Sequence, residues 1–362
     1  MRDNLGLPGT LFSPVPDPTP ISPPAPAQPG RAFVKKGLAW LLGLGLLTWL
    51  LGQTPFGQVK DALARPGWGT WALTLAGLLT SYALRAARLQ IVLNLDGHTR
   101  APHRWLGLRT DALRVILMHN AAVNLLPMRA GELSFPWLAS RELGMPVARA
   151  VACLLWMRVQ DMVILLLLGL LLWPGLPVWL RAGAMASFLA AWAVAAWLSR
   201  RWFSQHPSGA DDEGQRPSSK LAGLMTRLRH ALLEPEHHHP LAWLATLANW
   251  AIKLAAGASL LSAVSTAPWL TAWAGALGGE LAAIVPLQGP AGFGTYEAGV
   301  WAGMAAHLTP QSEALGHAVS AALALHVCFL LCAVLAGASA YVLSWANRPA
   351  SRQGTPPSRH PG

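Results

Sequence analysis

Two stretches of the chain begin as membrane helices and cannot continue as such. Asn120–Glu132 reads NAAVNLLPMRAGE, and Ala283–Glu297 reads AIVPLQGPAGFGTYE. In each, an apolar run reaches a proline, meets glycine and closes on a glutamate. Proline removes a backbone donor and clashes with the preceding turn. Inside hydrocarbon no water is at hand to satisfy the groups so released. A chain with two such interruptions, one in each half, is constrained to a bundle of helices broken in two places. Each break must be buried in protein or line a polar cavity.

Composition supports the membrane setting. Of 362 residues, 53% are hydrophobic and only 12% charged, against about 25% charged in globular proteins. The 18 tryptophans suit a protein whose indoles sit at headgroup level. The net charge of +11 does not point to nucleic acid, because the basic residues flank apolar runs as cytoplasmic loops do. Cys153, Cys328 and Cys332 lie inside apolar runs without metal spacing, as small buried residues do.

Three regions are expected. Residues 1–31 are proline-rich and should form a disordered cytoplasmic tail. Residues 32–346 should form the transmembrane domain, with a cytoplasmic loop over 199–240. Residues 347–362 should form a second disordered cytoplasmic tail. Candidate spans are 32–51, 69–93, 147–173, 178–198, 241–263 and 315–345. Arg85 and Arg88, near the end of the second, are expected to snorkel to the interface. The run of six arginines from Arg85 to Arg114 and the basic loop around 200–239 both point inside. Residues 113–126 are too few to cross a membrane. They read, with 133–143, as a re-entrant hairpin entering from the cytoplasm. The segment around 269–308 reads as a second hairpin entering from outside. The predicted fold is all-α: about six transmembrane helices plus two oppositely oriented re-entrant hairpins, with both termini cytoplasmic. That is the pattern of an inverted repeat with a site at the midplane. His237, His238 and His239 are expected in a solvated loop.

The breaks carry the candidate chemistry. Half-helix ends present backbone donors and partial positive charge, which can hold an anion such as phosphate. Arg129 adds a full charge beside the first break. Gly131, and Gly289, Gly292 and Gly294 in the second, permit close backbone approach. Glu132 and Glu297 each open a helix; they either cap it or neutralise Arg129, or they serve a proton or a headgroup amine. Arg158 and Asp161 share a helix face deep in a span, as a neutralising pair or as lining of the same cavity. Lys253 has no acid near it in sequence and should find Glu280, Glu297 or a substrate anion. His119 and His326 read as structural.

The segments SYALRAARLQIVL, NLLPMRAGEL, MRVQDMVIL and VPLQGPAGFGTYEAG, in that order, resemble the membrane domain of lysylphosphatidylglycerol synthases and its stand-alone, flippase-like relatives. The resemblance covers roughly residues 70–345. It implies a bacterial inner-membrane protein of the lipid-translocating type. It carries its motif positions onto Asn124, Pro127, Arg129, Gly131, Glu132, Arg158, Asp161, Gly292, Gly294 and Glu297. Ser134 and Phe135 stand where relatives often have an arginine. No soluble aminoacyl-transferase domain follows Trp345, so lysyl transfer is not expected.

The function these features imply is binding and movement of an anionic membrane lipid or lipid-linked intermediate at a midplane site. The alternative is a membrane partner that presents lipid to a separate glycosyl- or aminoacyl-transferase. The sequence carries no nucleotide motif, metal cluster or nucleophile elbow, so neither an enzyme nor a cofactor is expected.

Overall fold

Where the sequence is apolar and free of proline, the backbone runs as long helices. The computed structural model describes residues 56–93, 104–105, 107–172, 176–205, 220–284 and 292–346. All of these fall in the unit Leu38–Gly362, and the unit Met1–Gly37 lies outside the description. The expected tails and the expected first span, 32–51, also lie outside the described residues.

A short helix, α1 (Phe56–Ala64), leads to α2 (Trp68–Val92). A two-residue antiparallel ladder, β1 (Arg104–Trp105) with β2 (Leu108–Arg109), then turns the chain. Helix α3 (Thr110–Leu125) starts beside Asp111, which accepts the Ala112 N–H and grips the Arg109 guanidinium. A carboxylate there also meets the positive end of the helix.

The first break forms as proline dictates. Leu126, immediately before Pro127, has extended backbone (φ −89°, ψ 141°), the conformation a following proline ring enforces. Pro127 then opens a 3-10 turn over Pro127–Leu133, and α4 (Ser134–Leu143) folds back along α3. Gly131 lets the turn lie directly on α3, because a Cβ there would overlap the backbone of Ala122 and Val123. Gly144, at φ 64°, ends α4 as a left-handed cap does.

Helices α5 (Val147–Leu172) and α6 (Val178–Gln205) follow. Helix α6 is apolar yet largely uncovered by protein, with Trp179, Leu189, Val194 and Trp197 facing outward. A helix apolar on all sides is explained by lipid contact. Four described helices are long and apolar enough to cross a membrane: α5, α6, α8 (Pro240–Ser265) and α12 (Ala318–Ala346). Helix α2 has the length, at 25 residues, but carries Arg85 and Arg88. The 16-residue α3 and the 14-residue α9 (Trp269–Ala282) fall short of the ~20 residues a span needs.

The second break mirrors this logic. Helix α9 ends at Ala282, and α10 (Thr295–Ala305) restarts from Gly294, at φ 86°. The residues between, 285–291, lie outside the description, Gly289 among them. Helices α9 and α10 touch backbone to backbone: a Cβ on Gly278 would overlap the Gly299 carbonyl, and one on Gly303 the Ala274 carbonyl. Small residues at such contacts allow close van der Waals approach where no hydrophobic force draws helices together. A short α11 (Glu313–Gly316) precedes α12.

The expected solvated loop over 199–240 requires correction. Helix α6 continues to Gln205, α7 (Lys220–Leu232) is helical, and Pro235–His238 forms a 3-10 turn. His237 is 1% exposed, with Trp156 stacked on it and Gln160 donating to its carbonyl. His238 is buried against the edge of the same indole. Only His239 of the three faces solvent, and it caps α8 by accepting the Leu241 N–H. Trp156 supplies an apolar wall for the two imidazoles, which a reading of the loop's polarity alone misses.

Candidate functional site

Along α2, Leu78, Ser81, Tyr82 and Arg85 recur at helical spacing and line one side of a cavity of about 420 Å³. The volume lies in the range of small-ligand sites. The opposite sides come from α3, α5, α8, both breaks and α12. The first break contributes Asn124 and Glu132. The second contributes Ala283, Ile284, Gly292 and Tyr296. The two interruptions therefore open onto one chamber, as their sequence similarity suggests.

An ion-pair chain runs through one wall. Arg88 Nη1 lies 2.7 Å from Asp161 Oδ1, with both side chains buried. Thr246 accepts a further hydrogen bond from Arg88, and the Trp250 indole N–H donates to the same Asp161 oxygen at 3.0 Å. Arg158 meets the other Asp161 oxygen at 3.4 Å and clasps Glu132 at 2.7 Å. The Glu132 carboxylate has His119 3.8 Å away, and His119 in turn pairs with Ser134. Removing one partner of a buried pair of this kind costs about 3–5 kcal/mol, because the other is left buried and uncompensated.

Arg85 stands apart from that chain. Its Nη1 donates to Asn120 Oδ1 at 2.9 Å and its Nε to Asn249 Oδ1 at 3.2 Å. Its guanidinium lies over the Trp250 ring, 5.4 Å from the centroid. Among the described residues no carboxylate lies within ion-pair distance of it. On the far side of Trp250, Lys253 Nζ is 5.1 Å from the ring and 2.7 Å from Glu280. Three cations (Arg85, Arg158, Lys253) and three carboxylates (Glu132, Asp161, Glu280) line the chamber, and Arg88, which is not among the lining residues, pairs with Asp161.

The sequence-selected residues take distinct places. Asn124, Glu132, Arg158, Asp161, Lys253 and Gly292 line the chamber. Lys253 finds Glu280, one of the partners expected for it. Pro127 opens the first break, while its side chain and that of Arg129 lie outside the described residues. Gly131 serves contact with α3, not with the chamber. Gly294 caps α10. Glu297, expected at the site, does not line it. The carboxylate is 0% exposed, accepts the Gly294 N–H at 2.6 Å and holds His326 Nδ1 at 2.6 Å. Its oxygens are taken by helix capping and by orienting His326, whose ring does reach the chamber.

The largest omission of the sequence reading is Arg85, placed at the interface by snorkelling together with Arg88. Both turn inward. The available signal was the polar stripe Ser81–Tyr82–Arg85–Arg88 at three- and four-residue spacing on an otherwise apolar helix. Intramembrane charges of that kind face a bundle interior or cavity. Asn120, Trp250, Glu280 and Tyr296 complete the chamber, and no local pattern distinguishes them from ordinary helix residues.

Comparison with known families gives one finding. Residues 37–345 match the family described as the lysylphosphatidylglycerol synthase TM region. No match was found among curated proteins. The match spans most of the chain, and the protein belongs to this family; it is a multi-pass, all-α membrane protein.

Proposed function

We propose that this member of the lysylphosphatidylglycerol synthase transmembrane-region family binds the anionic headgroup of a membrane lipid or lipid-linked intermediate in the chamber and moves it across the bacterial inner membrane. The observation that carries this is Arg85, a guanidinium on the chamber wall hydrogen-bonded, among the described residues, to the neutral side-chain oxygens of Asn120 and Asn249. A half-buried cation with no carboxylate in ion-pair distance among the described residues is costly, and a phosphate entering the chamber would supply a direct counter-ion. The guanidinium fork matches phosphate oxygens in geometry. Acyl chains remain in the bilayer while the headgroup exchanges water for the chamber. The breaks, with half-helix ends on both sides, give the chamber two faces from which access can alternate. Six spans with two opposed hairpins, and cytoplasmic termini, complete this picture. No catalytic step is assigned to the chain.

The test is transport by the purified protein alone. Proteoliposomes carrying a labelled anionic phospholipid should show faster exchange between leaflets than empty liposomes, and Arg85→Ala should abolish the difference. Binding without exchange would instead favour a partner that presents lipid to a separate transferase. Exchange unaffected by Arg85→Ala would remove the chamber from the mechanism.

A further inference from the structure

Helix α6 ends as a membrane span should. Its apolar run closes on Trp197 and Trp202, with Arg200 and Arg201 between them. Indoles and basic residues at the end of an apolar helix mark headgroup level. Arg201 lies over the Trp197 ring, 5.3 Å from the centroid, which holds the guanidinium at that depth. Helix α7 has a different character. Met225, Leu228 and Leu232 recur at three- and four-residue spacing and so share one face, while Arg227 and Arg229 are exposed. A basic amphipathic helix of this kind lies in the interface and does not cross it. It packs along α5, where the Trp156 N–H donates to the Leu232 carbonyl at 2.7 Å. Toward α6 it touches through His230, set edge-on to Trp202 at 5.5 Å.

Between the two helices runs a groove of about 700 Å³. Leu198, Met225, Leu228 and Leu232 line it together with Arg201 and Arg229. Leu198 and Met225 are 52% and 53% exposed, so the described residues leave much of this apolar surface uncovered. No acid is among the lining residues. The nearest acid in sequence to Arg229 is Glu234, which Arg149 holds at 2.9 Å. Among the described residues neither Arg201 nor Arg229 pairs with a carboxylate. An occupant that suits this groove brings apolar length and negative charge together. At headgroup level the molecule with both is a phospholipid.

We propose that the groove between α6 and α7 is a second lipid site, which holds an anionic phospholipid of the surrounding leaflet as a resident and not as cargo. An acyl chain lies against Leu198, Met225, Leu228 and Leu232. The phosphate is taken by Arg201 and Arg229, whose guanidinium forks suit phosphate oxygens. The bound lipid fastens α7 to the end of α6. This site shares no lining residue with the chamber, so it does not depend on what the chamber carries.

The experiment places the purified full chain in nanodiscs of phosphatidylcholine that contain a trace of lipid with a diazirine in one acyl chain. The probe is either phosphatidic acid or phosphatidylcholine, and crosslinked peptides are mapped by mass spectrometry. The phosphatidic acid probe should label α7 and the end of α6 about tenfold more than the phosphatidylcholine probe, the scale expected of two basic contacts. Arg201→Gln with Arg229→Gln should bring the two probes level. Met225→Trp, which fills the groove and keeps both charges, should also remove the preferred label, so the outcome does not hang on one variant's folding. Arg85→Gln, which reads the chamber, should leave the α7 label unchanged. Equal labelling by the two probes in the unaltered protein overturns the proposal, because the groove then meets only bulk lipid. Absence of label from either probe overturns it too, because protein then covers the groove. A preference that survives both the double arginine change and Met225→Trp places the lipid elsewhere, and loss of the label in Arg85→Gln ends the separation of the two sites.

Discussion

Arg88 and Asp161 lie 73 positions apart in sequence and meet at 2.7 Å, with side chains only 4% and 5% exposed. The contact joins α2 to α5 at the chamber wall. It also fixes what surrounds it, since Asp161 takes the Trp250 N–H and the second Arg158 contact. Trp250 in turn is the platform between Arg85 and Lys253. One buried ion pair therefore sets the position of groups on three helices.

Either Arg88→Ala or Asp161→Ala should destabilise the protein by about 3–5 kcal/mol, the cost of stranding one buried charge. The double change Arg88→Met with Asp161→Leu should recover most of the loss, because both charges leave together. Thermal melting in detergent reads this. A double variant no more stable than the worse single one counts against an isolated pair and in favour of a role for Asp161 through Arg158 and Trp250.

The two breaks border one chamber through Asn124 and Ile284. In a background without native cysteines, Asn124→Cys with Ile284→Cys should be joined by a short bifunctional thiol reagent in native membranes. A pair within the first hairpin serves as the positive control. Failure of the cross-break pair beside a successful control would show that the interruptions do not share a site in the membrane.

Orientation rests on charge. Ser208 in the basic segment and Ser312 between α10 and α12 should lie on opposite sides of the membrane. Single cysteines at these positions should label oppositely with an impermeant reagent in intact cells, Ser312→Cys reacting from outside. Equal reaction from outside defeats the opposed-hairpin topology.

The buried turn after α7 should be pH-sensitive. Burial pushes His237 down from its ordinary 6.5 to about 4 and lowers His238 as well. Between those values the unfolded chain binds a proton that the folded turn does not. Stability from His237 is thus complete above pH 6.5 and falls as pH drops toward 4. Neighbouring Glu234, raised by burial and paired with Arg149 at 2.9 Å, has the opposite sign. Its neutral form is the one burial favours, so it offsets part of the loss. Protease sensitivity of the segment after α6 should rise from pH 7 to pH 5 in the native protein and change less in His237→Gln. Identical pH profiles would assign the effect to other groups.

The sequence by itself determined where helices break and that Arg158, Asp161 and Lys253 face inward. Pro127 forces Leu126 into extended backbone whatever surrounds it, and Gly294 permits the positive φ from which α10 restarts. Arg158, Asp161 and Lys253, set in apolar helices, could not face lipid, so their inward placement followed from solvation alone. Partner choice was decided by the tertiary structure. Arg158 clasps Glu132, Lys253 clasps Glu280, and Arg88 takes Asp161, across separations of 26, 27 and 73 positions. Local periodicity fixes the face of a helix but not which neighbour that face meets. The same limit hid the inward turn of Arg85 and Arg88, since a long side chain near a helix end can reach water or a cavity and only neighbouring helices decide which. It also hid the burial of His237 under Trp156 and the sealing of Glu297 beneath His326. In each case the burial that sets the residue's role is created by segments distant in sequence, and composition and spacing do not encode that proximity.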